Sequence, residues 1–401
     1  MKNTIQTAII GGGASGLFLA SMLDGKTTAV FERGERVGKK LSATGNGQGN
    51  ISNLQVEEGG YFSHTPSGET LARTLVKRYG LQSLKSHLQK LGLLLTTDDR
   101  KRLYPAGKQA SAITDALRFY LAEQGTSLYT GIKIDKIERT KDGFCLISGE
   151  DKYYAETVVL CTGGKAGKHF GTDGNGYRLA QAFGHTITPL YPALVQLKTQ
   201  TADIKTLKGI RVSPACVSAE YEGKKKSLVG DLLFTEYGVS GDVIFRLSSF
   251  IADKIERGVK LYINFLPEFT NEEIATAVKG KRARYPEMPF GELLCGIVNN
   301  QVGRAVAKKS GEDIDKAIAL LQAFPIEITG SLGFDYAQVT KGGITISEVD
   351  ENLQSKKVQG LYFAGEILDI DGECGGYNIQ WAYSSACTVA NAINEKARGQ
   401  V

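Results

Sequence analysis

The 401-residue sequence predicts an α/β fold in which one domain is interrupted by another. Three features carry that expectation. A β-branched run near the start ends in clustered glycines and a helical pattern. Buried, strand-like runs at 157–164 and 360–366 also end in or next to glycine. The stretch 191–334 between those two runs has a different texture, alternating strands followed by helical periodicity. The first domain is therefore expected to comprise 1–190 and 335–401. The insert, 191–334, is expected to be a small β domain carrying a helical cap over about 243–323.

The opening run, residues 4–10 (TIQTAII), reads as a buried strand. It meets Gly11, Gly12, Gly13, Ala14, Ser15 and Gly16, after which LFLASML has the pattern of a helix. Gly11, Gly13 and Gly16 satisfy G-x-G-x-x-G: the first permits the tight turn, the second lets a pyrophosphate approach, the third lets helix pack on strand. The free N–H groups at the helix start favour phosphate. A second strand, TTAVFERG, leads to Glu32 and Arg33, with the acid about 20 residues beyond the first glycine. A carboxylate there accepts hydrogen bonds from ribose hydroxyls and repels a 2′-phosphate. Together these elements predict a Rossmann-like dinucleotide-binding unit.

A helical stretch (ETLARTLVKRYGLQSLKSHLQKLG) and a β-meander follow. Within the meander, GIKIDKI resembles the strand whose backbone pairs with adenine, around Ile134. TVVLCTGG then ends in Thr162, Gly163 and Gly164, and GLYFAGE ends in Gly365 and Glu366. Flavoproteins of the glutathione-reductase type resemble the chain at both places. That resemblance implies FAD, with the second strand bringing an acid near the ribityl and pyrophosphate groups. After it, Gly375, Gly376, Tyr377 and Asn378 open a last helix. Its first N–H groups lack intrahelical partners. Aimed at the pyrimidine edge of a flavin, they would stabilise negative charge at N1 and O2.

Over essentially its whole length the chain resembles the BaiN/RdsA-type (YhiN-like) flavoprotein family. The matching pieces are AIIGGGASGL, GKKLSATGNGQGNISN, RLYPAGKQASAITDAL, VVLCTGG, GNGYRLAQAFGH, LLFTEYGVSGDVI and GLYFAGEILDIDGECGGYNIQWAYSSA. In that family the loop after the ribose-binding acid reads like T-G-x-G-x-C-N-x-T-N. Thr44, Gly45, Gly47, Asn50 and Asn53 fit, Ser52 stands for threonine, and Gly49 replaces the cysteine. The resemblance implies that this loop, with Lys40 and Leu41 at its start, lines the flavin end of the cofactor. Glycines let backbone lie against a flat ring, asparagine amides both donate and accept, and Lys39 and Lys40 offset phosphate charge. With glycine at that position, no thiol there can be essential.

Composition limits the alternatives. Hydrophobic content of 42% and charged content of 23% suit a soluble enzyme, and the 48 glycines suggest many tight turns and close backbone approaches. The six cysteines are scattered without C-x-x-C spacing, and the four histidines are dispersed. Neither a metal site nor a disulfide framework is expected, and a reducing cytoplasm is the natural compartment. No apolar run approaches a membrane span, and the start lacks a signal peptide's apolar core. The formal glycosylation acceptor Asn50-Ile51-Ser52 is discounted accordingly. A net charge of +5 permits an anionic partner without requiring one. The basic clusters Lys224–Lys226 and Lys279–Arg284 read first as solvated loops, and otherwise as phosphate contacts.

No second G-x-G-x-x-G follows a strand, so NAD(P)H is expected as a transient electron donor without a domain of its own. The family resemblance implies hydride transfer to an electron-poor C=C bond, either of a small molecule or of a uridine in ribosomal RNA. A third reading is a flavin-binding redox sensor without turnover. The catalytic proton donor is not readable: Tyr377, Cys374 and His169 are all chemically possible, and Cys374 reads first as a packing residue. Oligomeric state is equally unreadable.

Overall fold

The computed structural model describes residues 5–202, 204–221 and 223–399, with the Lys224 side chain left aside. Residue 4, where the first strand was expected to start, lies outside them. The backbone divides into two units, 1–190 with 339–401, and 191–338.

The first unit is built on a seven-stranded sheet. Ile5–Ile10 lies between Thr28–Glu32 and Asp151–Leu160, parallel to both, and Ser127–Thr130 adds beyond Thr28–Glu32. Leu361–Phe363, from the second segment of the unit, pairs parallel with Val158–Leu160. The far half of Asp151–Leu160 pairs instead with Phe144–Ser148, which pairs with Lys136–Arg139; this is the antiparallel meander. The central parallel strands are apolar without alternation because both sheet faces are covered. On one face the helix Ala14–Ala20 packs against the long C-terminal helix Tyr377–Arg398. Phe18 meets Tyr383 edge to face at 5.3 Å, and Trp381 is 1% exposed.

The two segments of this unit are also stitched away from the sheet. Buried His185 lies between Glu348 Oε2, at 3.1 Å from Nδ1, and Ser355 Oγ, at 2.8 Å from Nε2. Glu348 further accepts from Thr186 N, Thr186 Oγ1 and Lys357 Nζ. Burial pushes the His185 imidazole down. Desolvation acts to raise the Glu348 carboxyl, but the Lys357 and Thr186 hydrogen bonds outweigh it and hold the group at about 2.

In the second unit, Leu197–Thr199, Gly238–Ser240, Lys224–Phe234, Arg211–Tyr221, Val259–Asn264 and Phe324–Ser331 close into an antiparallel barrel in that order. Val259–Asn264 alternates in burial, with Val259, Leu261 and Ile263 facing the core. This strand interrupts the stretch of about 243–323 in which helical patterns are expected to dominate. Six residues in the middle of that stretch are needed to close the barrel edge. The helices around it start where the sequence supplies caps. Thr270 and Glu273 form a reciprocal capping box ahead of Asn271–Arg284, and Asp313 caps Ile314–Gln322.

Two stability measurements follow. Leu261→Ala removes a fully buried side chain from the barrel and is expected to lower unfolding free energy by about 2–5 kcal/mol in urea titrations. Glu348 has its folded pKa depressed, so its contribution is present above its ordinary value of 4.5 and lost as pH falls through about 2. Glu348→Gln is expected to flatten the fall in urea midpoint across that window.

Candidate functional site

The functional end of the first unit forms where the parallel strands stop and backbone meets backbone. Gly11 follows the first strand with φ +107°, its N–H donating to the Phe31 carbonyl (2.8 Å). A Cβ on it would lie 2.5 Å from the Cys161 carbonyl oxygen, and one on Gly16 would collide with the Gly11 carbonyl. Gly13, by contrast, faces open space. Gly11 thus makes the turn and Gly16 the close packing, and the space over Gly13 is open. Ala14 begins the helix, and Ser15 touches Gly365 closely enough that a Cβ there would sit 2.7 Å from Ser15 Oγ.

Glu32 holds this turn from the second strand. Its carboxylate accepts from Gly12 N (2.9 Å) and Gly34 N (2.7 Å), which leaves lone pairs for further donors. Arg33 pairs with Asp173 at 2.6 Å. Ile134 lies just before Lys136–Arg139 rather than within a strand, and its carbonyl accepts from Asn175 Nδ2 (3.0 Å).

The loop that reads KKLSATGNGQGNISN is docked rather than free. Lys40 Nζ reaches Glu366 Oε2 at 2.8 Å, joining two expected site residues 326 positions apart. Glu366 also accepts from Thr340 N (2.9 Å), and Thr340 Oγ1 accepts from Lys165 N and Ala166 N, just beyond Thr162, Gly163 and Gly164. Leu41 is buried, while Gly45 and Gly47 stay exposed. Gly49 has φ +82°, and a Cβ there would press on Ala110 Cα at 3.0 Å. In this conformation the cysteine of the resembling pattern would be strained.

The far end of the loop binds the head of the C-terminal helix. With its amide turned so that both ends find a partner, Asn50 donates to the Ser52 carbonyl (3.1 Å) and accepts from Gly376 N (3.3 Å). Ser52 Oγ donates to Gln380 Oε1 (2.7 Å), and Asn53 Nδ2 to the Gly375 carbonyl (3.4 Å). Gly375 and Gly376 have φ of +112° and +105°, and a Cβ on Gly376 would collide with Ser52 backbone. Asn378 closes a two-bond ring with Gly372, accepting from its N and donating to its O, both at 2.8 Å. Its side chain therefore shapes the turn. Gly365 donates to Ser385 Oγ and accepts from Trp381 Nε1, fixing the last strand to the same helix.

Of the three possible proton donors, His169 is exposed against Phe170, Cys374 is half-buried, and Tyr377 is half-buried with its ring 5.7 Å from that of Tyr61. Sequence reasoning missed Asp369 and Asp371, both in LDIDG and both about 1% exposed or less. Two acids inside an otherwise apolar run were the available signal. Asp369 accepts from His64 N (3.1 Å) and Ser63 Oγ (3.1 Å) and meets His64 Nδ1 at 2.8 Å. Cys161 and Cys387 are pushed up to about 12 by burial, so neither supplies a thiolate.

With this geometry in place, comparison decides the family. The model of the HI0933-like protein Rossmann domain matches residues 5–392. The chain belongs to the HI0933-like family. HI0933-like relatives include a 3-dehydro-bile acid delta(4,6)-reductase of Clostridium scindens, 32% identical over 97% of this chain and 98% of that protein. A ribosomal RNA dihydrouridine synthase of Haemophilus influenzae is 27% identical over 99% and 100%. Among solved structures, a 3-ketosteroid-delta4-(5alpha)-dehydrogenase from Rhodococcus jostii shares the fold, with TM-score 0.51, 15% identity and 96% of each chain covered. This HI0933-like chain is an FAD-dependent oxidoreductase with a Rossmann-like sheet and a separate antiparallel barrel. No helix among the described residues is long and apolar enough to cross a membrane.

Glu32→Ala leaves the Gly12 and Gly34 N–H groups without their acceptor and removes the acid that the sequence leads one to expect at the ribose. FAD affinity of the apoprotein, read by flavin fluorescence titration, is expected to fall about ten- to a hundredfold.

Proposed function

We propose that the protein reduces an activated C=C bond of a small molecule, with NAD(P)H as transient electron donor. The observation that carries the choice of a small molecule over RNA is the state of the basic residues. Glu220 lies in register between Lys225 and Lys260 on adjacent barrel strands, so opposite charges face each other there. In the second cluster Lys279 pairs with Asp315, Lys281 Nζ donates to the Cys295 carbonyl, and Arg282 donates to the Pro286 and Met288 carbonyls. Such cations complete a helix end and its neighbouring turn rather than present a row to phosphates. The relative named as a bile acid reductase, 32% identical, supports the same choice.

The residues fit FAD. The turn at Gly11–Gly16 would take the pyrophosphate over the open face of Gly13, Glu32 the ribose hydroxyls, and the Ile134 backbone the adenine. Arg33 is steadied by Asp173. The Lys40–Glu366 pair, with Thr162–Gly164 and the docked loop from Leu41 through Gly45 and Gly47 to Asn50, would flank the ribityl and ring portions. The Gly375–Asn378 turn would set the helix head at the ring's pyrimidine edge, where positive N–H dipoles favour negative charge. Bound there, FAD supplies hydride chemistry. A reducing, cytoplasmic setting suits the free cysteines.

The 27–28% identical ribosomal RNA dihydrouridine synthases favour the second reading, the same reduction on a uridine. Ribosomal RNA from cells lacking the protein separates the two: unchanged dihydrouridine removes the RNA reading. Anaerobic stopped-flow mixing with NADH or NADPH is expected to bleach the bound flavin, and a conjugated enone to restore its colour. Flavin that neither nucleotide bleaches would leave a non-catalytic sensor as the reading.

A further inference from the structure

His185 is buried, and both of its ring nitrogens are engaged, Nδ1 with Glu348 Oε2 and Nε2 with Ser355 Oγ. The hydrogen bonds around Ser355 decide which nitrogen carries the proton. Ser355 Oγ already accepts from Lys357 N (3.1 Å) and Val358 N (2.9 Å), which fills both lone pairs of a hydroxyl. Its own proton must therefore be donated, and His185 Nε2 at 2.8 Å is the acceptor. Nδ1 then carries the ring proton and donates to Glu348. Geometry alone holds the imidazole neutral and in one tautomer.

A second ring proton would break this arrangement. Protonated Nε2 would face the Ser355 hydroxyl as a donor, and Ser355 cannot accept a third hydrogen bond, so one of the two backbone N–H groups must let go. The charged groups acting on His185 are Glu348, from the turn Ile346–Glu348, and Lys357, from the loop that follows. The strand Leu361–Phe363 presents the Phe363 ring, edge-on at 4.8 Å. Burial acts most strongly against charge on the imidazole, Glu348 favours it, Lys357 opposes it, and the group is lowered from its ordinary 6.5. The loop so held is fastened to the adjoining strand. Ser355 N donates to the Leu361 carbonyl (2.8 Å), and Phe363 N to the Leu353 carbonyl (3.1 Å). That strand runs on to Gly365 and Glu366, and Glu366 pairs with Lys40.

We infer that His185, Glu348 and Ser355 form a latch that acid opens: protonating His185 frees the loop 349–358 from the strand Leu361–Phe363 and loosens the grip of Gly365 and Glu366 on FAD. The last step rests on the reading above that sets the Lys40–Glu366 pair beside the cofactor. The folded imidazole is held below its ordinary value, so the closed latch is stable above about 6.5 and weakens as pH falls below it. In the open loop His185 takes up the proton that the closed one refuses. Opening therefore gains about tenfold for each pH unit below that value, until the closed form is protonated too. Glu348, held at about 2, stays ionised across this window and adds nothing to it.

The test follows amide hydrogen exchange in the FAD-loaded protein from about pH 8 to about pH 5, each rate divided by its chemical rate at that pH. Protection at Ser355, Lys357 and Val358 is expected to fall about tenfold per pH unit below about 6.5, while protection at Val158–Leu160 in the sheet holds. His185→Gln, whose amide can accept from Ser355 and donate to Glu348, should level the profile. His87, lowered to about 4 by burial against Ser21 and Tyr383, is the control, and His87→Gln should leave the profile unchanged. Wild type should release FAD about tenfold faster at about pH 5 than at about pH 7, and His185→Gln should not. Nitrogen-15 spectra of the wild-type ring read the tautomer and need no variant to fold: a ring protonated on Nε2, or charged, at about pH 7.5 overturns the latch. Protection that stays level in the wild type, or that falls in step with the sheet strands, overturns it as well. Protection that falls at the loop while FAD is retained equally at both pH values overturns the link through Glu366, and with it the cofactor placement on which that step rests.

Discussion

The site depends on backbone approaching backbone where a Cβ cannot fit. Gly11 lies against Cys161, Gly16 against Gly11, Gly365 against Ser15 and Gly376 against Ser52. These contacts join segments from four separate parts of the chain; those of Gly11, Gly16 and Gly376 are against backbone, and that of Gly365 is against the Ser15 side chain. Three of the four glycines (Gly11, Gly365 and Gly376) also have positive φ, so a larger residue would strain the turn as well as the contact. The conformational entropy lost in ordering so many glycines is offset by the core beneath. That core includes strands with Ile9, Val30, Leu160 and Phe363 fully buried and Trp381 closing over Gly365. Sheet and glycine junction are therefore one construction, the first supplying the free energy and the second the shape.

What was legible in the sequence is what is local. The fingerprint at Gly11–Gly16 and the acid at Glu32 sit within one strand–helix–strand unit, where spacing alone fixes geometry. The discontinuous sheet was legible because each buried strand carries its own apolar run. The barrel strand Val259–Asn264 was not, because its partners, Arg211–Tyr221 and Phe324–Ser331, lie some forty or more residues away and helical periodicity dominates its flanks. Nor was the Lys40–Glu366 pair legible, or the use of Asn378 to shape a turn. Both depend on which surfaces the fold brings together, and residue type alone says only that they are polar.

The same distinction explains Asp371. In the sequence the two acids of LDIDG carry nothing that tells them apart. Tertiary structure separates them by a single property, the supply of donors. Ser63 and His64 come from the chain beside Tyr61–Phe62 and surround Asp369, while the pairing strand itself offers Asp371 only the edge that carries Phe62. Asp371 belongs to the two-residue strand whereas Asp369 lies in the bend before it, so the two acids meet different neighbours.

Charge at this end of the sheet is paired at two points, Arg33 with Asp173 and Lys40 with Glu366. Pairing keeps the local field small and costs little desolvation beyond what each partner returns. An electron-transfer site has a reason for such cancellation, because a large fixed field of either sign would bias one redox state of its cofactor.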